Sequence, residues 1–202
     1  MVSKKVSLKE LILKCKKKSI LLLTHENADL DAICSALMFQ EFLKKNKIKS
    51  VIGVPHHIND RAQHFCFNEG ISFQLNPNLN EFNLVVLFDV NGPEQLGRLR
   101  KSFEELKSCS CFELMVFDHH VLEKDSIVFG MNAFIDETCV STTELLAKIL
   151  GSKMSRRMHF LNCLGIIEDT GHFMTGDVDS FESFSSSLKF SNKNFADVLF
   201  YA

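Results

Sequence analysis

Four apolar stretches of this 202-residue chain run into acids and imidazoles. Ile20–Leu23 is followed by His25, Asp29 and Asp31, and Leu84–Phe88 by Asp89. Leu114–Phe117 leads into Asp118, His119 and His120, and the stretch Leu161–Ile167 ends in Glu168 and Asp169. Carboxylates gathered in a partly desolvated crevice repel one another, and each must take up a proton unless a cation neutralises it. Metal ions do this most simply. Carboxylates and imidazoles without thiolates suit manganese, magnesium, iron(II) or cobalt better than a tetrahedral structural zinc. His25, Asp29, Asp31, Asp89, His119 and Asp169 are more ligands than one catalytic ion usually takes from a protein. They match two ions roughly 3.5–4 Å apart that share a carboxylate, the arrangement typical of phosphate-ester hydrolysis.

Each piece also has a plainer reading. Asp29 and Asp31 suit the N-cap and first turn of a following helix, and Asp89, ahead of Asn91, Gly92 and Pro93, suits a turn. His119 and His120 are harder to explain this way, because imidazoles directly after a buried strand and beside Asp118 need partners. Glu168 and Asp169 could simply terminate a helix before Gly171, but the macrodipole disfavours acids at that end. His172, just beyond Asp169, is placed to reach a substrate. His56 and His57 follow a strand after Pro55, and either line the same cleft or are ordinary surface histidines.

The elements that must position these groups follow from periodicity. Ile20–Leu23, Val51–Val54, Leu84–Phe88 and Leu114–Phe117 read as strands, the wholly apolar runs among them as strands buried on both faces. Ser7 with Glu10 forms a capping box ahead of Leu8, Leu11, Ile12 and Cys15 at helical spacing. Further helices are expected over 31–46 and 94–107, with a mixed segment after Val54. This alternation predicts an α/β fold, a doubly wound and mainly parallel sheet flanked by helices, over residues 1–135. Open α/β sheets bind ligands at the carboxyl ends of their strands, where the acids stand. Residues 136–202 read as a mainly helical portion. Ser141 with Glu144 opens a helix that Gly151 stops after Leu150, a second covers 156–168, and one or two more close the chain. Phe181, Phe184, Phe190, Phe195 and Phe200 are expected in the core of these closing helices.

Composition narrows the function class. A net charge of −2 argues against a protein that grips long duplex DNA by neutralising phosphates, while short anionic substrates remain open. The lysines at 4, 5, 14 and 16–18 and at 44, 45, 47 and 49 read as solvated helix ends. The seven scattered cysteines read as reduced thiols, and the pair Cys109 and Cys111 lacks a second pair at zinc spacing. No apolar run approaches the roughly 18 residues of a membrane span, and the N-terminus lacks a signal peptide's apolar region, so a cytoplasmic protein is expected.

HENADLDA (25–32), FDVNG (88–92), FDHH (117–120) and EDTGHF (168–173) stand in the order and spacing of the DHH phosphoesterase superfamily, which the chain resembles over nearly its whole length. STTE (141–144) is similar to the family's helix start between its third and fourth motifs. The resemblance implies that His25 and Asp29 hold one metal, that Asp31, His119 and Asp169 hold the other, and that Asp89 bridges them. It further implies that His120 contacts the substrate phosphate and that Asp118 orients the histidines from behind. The implied cofactor is two Mn2+ ions, with Mg2+, Co2+ or Fe2+ as substitutes. The implied reaction is in-line attack on phosphorus by a hydroxide that the two metals activate.

The family includes RecJ-type exonucleases, oligoribonucleases, cyclic-dinucleotide phosphodiesterases and manganese-dependent pyrophosphatases. His25 opening the first motif resembles the oligoribonuclease and cyclic-dinucleotide branches more than the RecJ type, while Ala28 departs from a proline common there. The expected substrate is a small nucleotide or a short single-stranded oligonucleotide. The family's second, substrate-binding domain with its GGGH-type motif is not in this sequence, so residues 1–202 read as a single catalytic domain, either the catalytic half of a longer protein or a stand-alone domain that recruits its substrate otherwise, with a homodimer as a further expectation. The alternatives are an inorganic pyrophosphatase, a non-catalytic scaffold such as those of replication proteins, and a nucleotide-binding module without turnover.

Overall fold

Alternate residues of the apolar runs face opposite sides of one sheet. The computed structural model of the chain describes residues 7–107, 112–121 and 132–202. Its strands are β1 (Ile20–Leu23), β2 (Asn27–Ala28), β3 (Val51–Val54), β4 (His57–Ile58), β5 (Gln74–Leu75), β6 (Leu84–Phe88), β7 (Glu113–Asp118) and β8 (Asn132–Ile135). The helices are α1 (Leu8–Cys15), α2 (Leu30–Lys45), α3 (Asp60–Asn68), α4 (Arg100–Lys107), α5 (Thr142–Leu150), α6 (Arg156–Asp169), α7 (Val178–Ser191) and α8 (Phe195–Leu199).

Six strands form one sheet in the order β5-β3-β1-β6-β7-β8, with every neighbouring pair parallel. The chain starts in the middle, runs out through β3 and β5, and returns to lay β6 beside β1, so the direction of winding reverses between β1 and β6. Ile20, Leu22, Val86, Phe88, Met115 and Phe117 face a large core with α2, α5 and α6, while Leu21, Leu23, Val85, Leu87 and Val116 face a smaller one with Leu96, Leu99 and Phe103. Both faces are covered, as the unbroken apolar runs require. The expected doubly wound sheet is the observed one.

Phe88 and Phe117 pair across the carboxyl ends of adjacent strands and stack at 5.5 Å, Phe117 stacks on Phe134 at 4.9 Å, and Phe39 of α2 lies against both Phe88 and Phe117. Asp89 and Asp118 each follow one of these rings, so the aromatic packing fixes where the backbone delivers the acids.

Several details differ from the sequence reading. The expected helix over 94–107 is a 3-10 segment, Pro93–Leu99, followed by α4, broken where Gly97 takes φ 47°. A Cβ on Gly97 would overlap the Glu26 side chain, so the break lets this segment sit against the loop after β1. The mixed segment contains α3, whose buried residues are only Ala62, Phe65 and Cys66, and the two-stranded pairing of β2 with β4. β8 adds a sheet edge that no apolar run announced. Among the closing phenylalanines only Phe184 is buried; Phe181, Phe190, Phe195 and Phe200 are 45–59% exposed. α7 buries only the stripe Ser180, Phe184, Ser187 and Ser191, one narrow face of the helix. Cys109, Cys111, Lys4 and Lys5 lie outside the described residues. No helix among the described residues is long and apolar enough to cross a membrane.

Candidate metal centre

The loop after β1 and the turn after β6 meet at the reversal between these strands. Asp29 caps α2, its Oδ1 accepting the Ala32 N–H at 3.0 Å, so the plainer reading of this residue holds. Its Oδ2 meanwhile lies 3.7 Å from His25 Nε2. One carboxylate does both jobs. Asp31, in the first turn of α2, is wholly buried, and its two oxygens accept the backbone N–H groups of Thr142 at 2.7 Å and Thr143 at 3.0 Å. Those donors are free because they open α5, where helix N–H groups have no partner within the helix and the dipole favours an anion. Ser141 starts that helix by accepting the Glu144 N–H at 3.1 Å. α6 approaches so closely that a Cβ on Gly165 would overlap Thr143 Oγ1 and Asp31 Oδ1.

Asp89 sits at the centre. Its φ of 59° is unusual for a non-glycine residue, and it turns the carboxylate between the two histidine-bearing loops. Asp89 Oδ2 lies 3.7 Å from His25 Nε2, and Asp89 Oδ1 lies 3.6 Å from His119 Nε2 and 3.2 Å from the Thr142 hydroxyl that donates to it. His119 Nε2 in turn is 3.3 Å from Asp169 Oδ2, at the last residue of α6. Two groups with metal-ligand spacing result: His25, Asp29 and Asp89, and Asp31, His119 and Asp169. A third grouping, Asp89 with His119 and His120, has the same spacing. His120 Nδ1 is already engaged with Asp118 Oδ1 at 2.8 Å, which leaves its other nitrogen as the outward one on a half-exposed ring. Asp118 Oδ1 also accepts the backbone N–H groups of His119 and His120, at 2.8 and 3.2 Å.

The electrostatics follow from crowding. Burial first, then the charges of Asp31 and Asp29, pushes the Asp89 carboxyl up to about 7. Burial likewise raises Asp31, and raises Asp169 well above the usual carboxylate range. Asp29 is lowered: burial works against this, and the hydrogen bond to His25 overcomes it. For His25, burial opposes protonation, but the bond to Asp29 and the charge of Asp89 outweigh it and raise the imidazole. The bond to Asp118 raises His120.

These side chains fit divalent cations. His119 Nε2 and Asp169 Oδ2 are buried and without a hydrogen-bond partner, although they face one another. His119 Nδ1 lies 3.3 Å from the Cys139 carbonyl, the contact that leaves Nε2 as the lone pair. Buried polar atoms are seldom left this way, and a shared cation removes both deficits. His25, Asp29, Asp31, Asp89, His119 and Asp169 are thus brought together. Glu168 turns elsewhere, its carboxylate 2.8 Å from Arg61 Nη1. His172 is exposed in the loop after α6, with φ 60°, and joins none of the metal-ligand groups. Thr142, Thr143 and Gly165 are parts of the centre that the sequence reading did not single out. STTE was visible only as a helix start, and a glycine inside a helix was the only signal at 165.

The sequence profile of the DHH family, N-terminal domain, matches residues 19–166. Comparison with curated protein sequences finds no match. Among solved structures, the chain is similar to an exopolyphosphatase-related protein from Bacteroides fragilis, with TM-score 0.74 and 18% identity, covering 98% of this chain and 61% of the other. It is similar to a putative family II inorganic pyrophosphatase from Methanococcus jannaschii, with TM-score 0.68 and 19% identity, covering 90% and 60%. CDC45 from Entamoeba histolytica matches with TM-score 0.56 and 17% identity, covering 94% and 39%. The chain therefore spans about three-fifths or less of each of these structures, and the likeness is one of fold.

Proposed function

Because the chain belongs to the DHH family, we propose that it is a metal-dependent phosphoesterase acting on phosphodiester or phosphomonoester bonds of short oligonucleotides or small nucleotides. The observation that carries this reading is Asp89, whose two oxygens face two separate ligand groups. A scaffold has no need to crowd four buried or half-buried aspartates around two imidazoles, at a cost in desolvation that without cations is met only by protonation.

His25, Asp29 and Asp89 would hold one ion, and Asp31, His119 and Asp169 the other, with Asp89 shared. Mn2+ suits this set, and Mg2+, Co2+ or Fe2+ can replace it. Such a pair supplies Lewis acidity and activates water for attack on phosphorus. The chain's own residues do the rest. Asp118 fixes the His120 ring through Nδ1, so the outer nitrogen holds a proton toward the phosphate as negative charge develops there. The N–H groups opening α5 aim the Asp31 carboxylate and partly offset the burial that raises it. His172, in the loop beyond Asp169, would close on the substrate from the open side.

Calorimetric titration with MnCl2 should give two ions per chain. With manganese, short oligoribonucleotides, 3'-phosphoadenosine 5'-phosphate or cyclic dinucleotides should be hydrolysed, and inorganic pyrophosphate should not. Two bound ions with no turnover on any of these substrates, or on single-stranded DNA, would replace the enzyme with a scaffold or binding module. Turnover of pyrophosphate alone would make it a pyrophosphatase.

A further inference from the structure

A cavity of about 290 Å³ opens at the carboxyl end of β3, between β4, α3 and the segment leading to β5. Phe67, Ile71, Phe73 and Leu75 supply apolar walls, Gln63 supplies an amide, and the lining contains no acid. Phe67 is 86% exposed and Leu75 57%, an apolar surface left in water. Neither Phe67 nor Phe73 meets another aromatic ring among the described residues. The cavity lies at the small end of ligand pockets, the scale of one planar ring system.

Its position relates it to the metal centre. His57, in the lining, pairs with Asn27 and donates its backbone N–H to the Glu26 carbonyl at 3.0 Å. Asn27 stands between the ligands His25 and Asp29, and paired strands lie about 4.8 Å apart. The lining is thus one strand spacing from the metal-holding loop. Beside it, Arg98 Nη2 is 3.3 Å from His56 Nε2, and this exposed guanidinium makes no ion pair among the described residues. The Glu26 carboxylate lies against the neighbouring Gly97, but it forms no ion pair with this guanidinium, and a guanidinium facing an imidazole suits a phosphate oxygen.

We propose that this cavity is a nucleobase subsite of the catalytic cleft, with Arg98 and His56 taking a phosphate next to that base, so that the substrate class is nucleotides and not inorganic phosphates. The inference rests on the phosphoesterase reading of the centre. The ring would lie against Phe67 and Phe73, and the Gln63 amide can meet both a donor and an acceptor on its edge. Pyrophosphate or polyphosphate would gain nothing from these walls.

The test is equilibrium binding of AMP and of inorganic pyrophosphate to the full chain with manganese present. Phe67→Ala and Gln63→Ala change exposed side chains and leave the fold intact. Each should weaken AMP by about tenfold, within the span that base stacking covers, and leave pyrophosphate unchanged. Arg98→Ala should weaken AMP as well. Equal AMP affinity in all three variants, or parallel losses for AMP and pyrophosphate in Phe67→Ala, would overturn the subsite. Selective AMP losses without hydrolysis of any nucleotide would sink the catalytic reading and keep the subsite, whereas hydrolysis with unaltered AMP binding would do the reverse.

Discussion

The two ligand groups that Asp89 faces are built in different ways. His25 and Asp29 lie four residues apart on one loop, their side chains 18% and 27% exposed, and Asp29 would be present for helix capping alone. Asp31, His119 and Asp169 come from α2, the end of β7 and the end of α6, and they are buried or nearly so. The local group is assembled within one loop and is only somewhat more exposed than the other. The long-range group exists only when α5 and α6 pack against α2, and without cations it stores like charge in a dry place. Stability and metal occupancy should therefore be tightly coupled in the second group and loosely coupled in the first.

The largest effect should come from the residue that faces both. Asp89→Asn keeps the size and turn preference of the side chain but halves its capacity to bridge, so manganese-dependent hydrolysis should fall below detection while circular dichroism shows an intact fold. Retained turnover would end the bridging role.

Gly165→Ala strikes the long-range group alone. The added methyl must displace Thr143 or Asp31, so one of the two manganese ions should be lost in calorimetry, and stability should drop by about 1–3 kcal/mol in denaturant melts.

Next comes pH. Asp31, Asp89 and Asp169 bind protons more tightly folded than unfolded, Asp89 with a value of about 7. The stability that their neutral forms confer is full below the ordinary carboxylate range and is lost as pH rises through about 7. Chelator-treated protein should accordingly lose stability between pH 5 and 8 in urea melts, on the order of a kcal/mol or more. Manganese should remove most of that slope.

Thr142→Val deletes the hydroxyl bonded to Asp89 while keeping the backbone N–H bonded to Asp31, and should weaken manganese by about 10-fold, at the low end for groups that orient ligands. Asp29→Asn should change least: asparagine caps a helix as well as aspartate, so the melting temperature should stay put while the affinity for one ion declines. A large melting shift in the metal-free protein would show that the charge of Asp29, and not its capping oxygen alone, supports the fold.

Legibility tracked the same division. Ile20–Leu23, Val51–Val54 and Leu84–Phe88 were readable to the residue, because buried parallel strands carry their burial as plain apolar composition. α5 was readable because its capping box and Gly151 mark both ends. α3 was missed because only three of its nine residues are buried, too few to impose a period. β8 was missed because at a sheet edge Asn132–Ile135 buries little besides Phe134. The closing phenylalanines misled because an aromatic side chain signals burial only on average, and α7 offers the core a single narrow face.

The sequence by itself determined which residues could be ligands, their order, and their place at the ends of strands, since residue type and strand composition are local properties. Tertiary structure alone decided that Asp89 is the carboxylate facing both groups, that the opening of α5 clamps Asp31, and that residue 165 must be glycine for α6 to come near. The physical reason is that sharing an oxygen between two sites depends on ångström-scale separations across α2, α5, α6 and the sheet. Packing sets those separations, and no spacing along the chain encodes them.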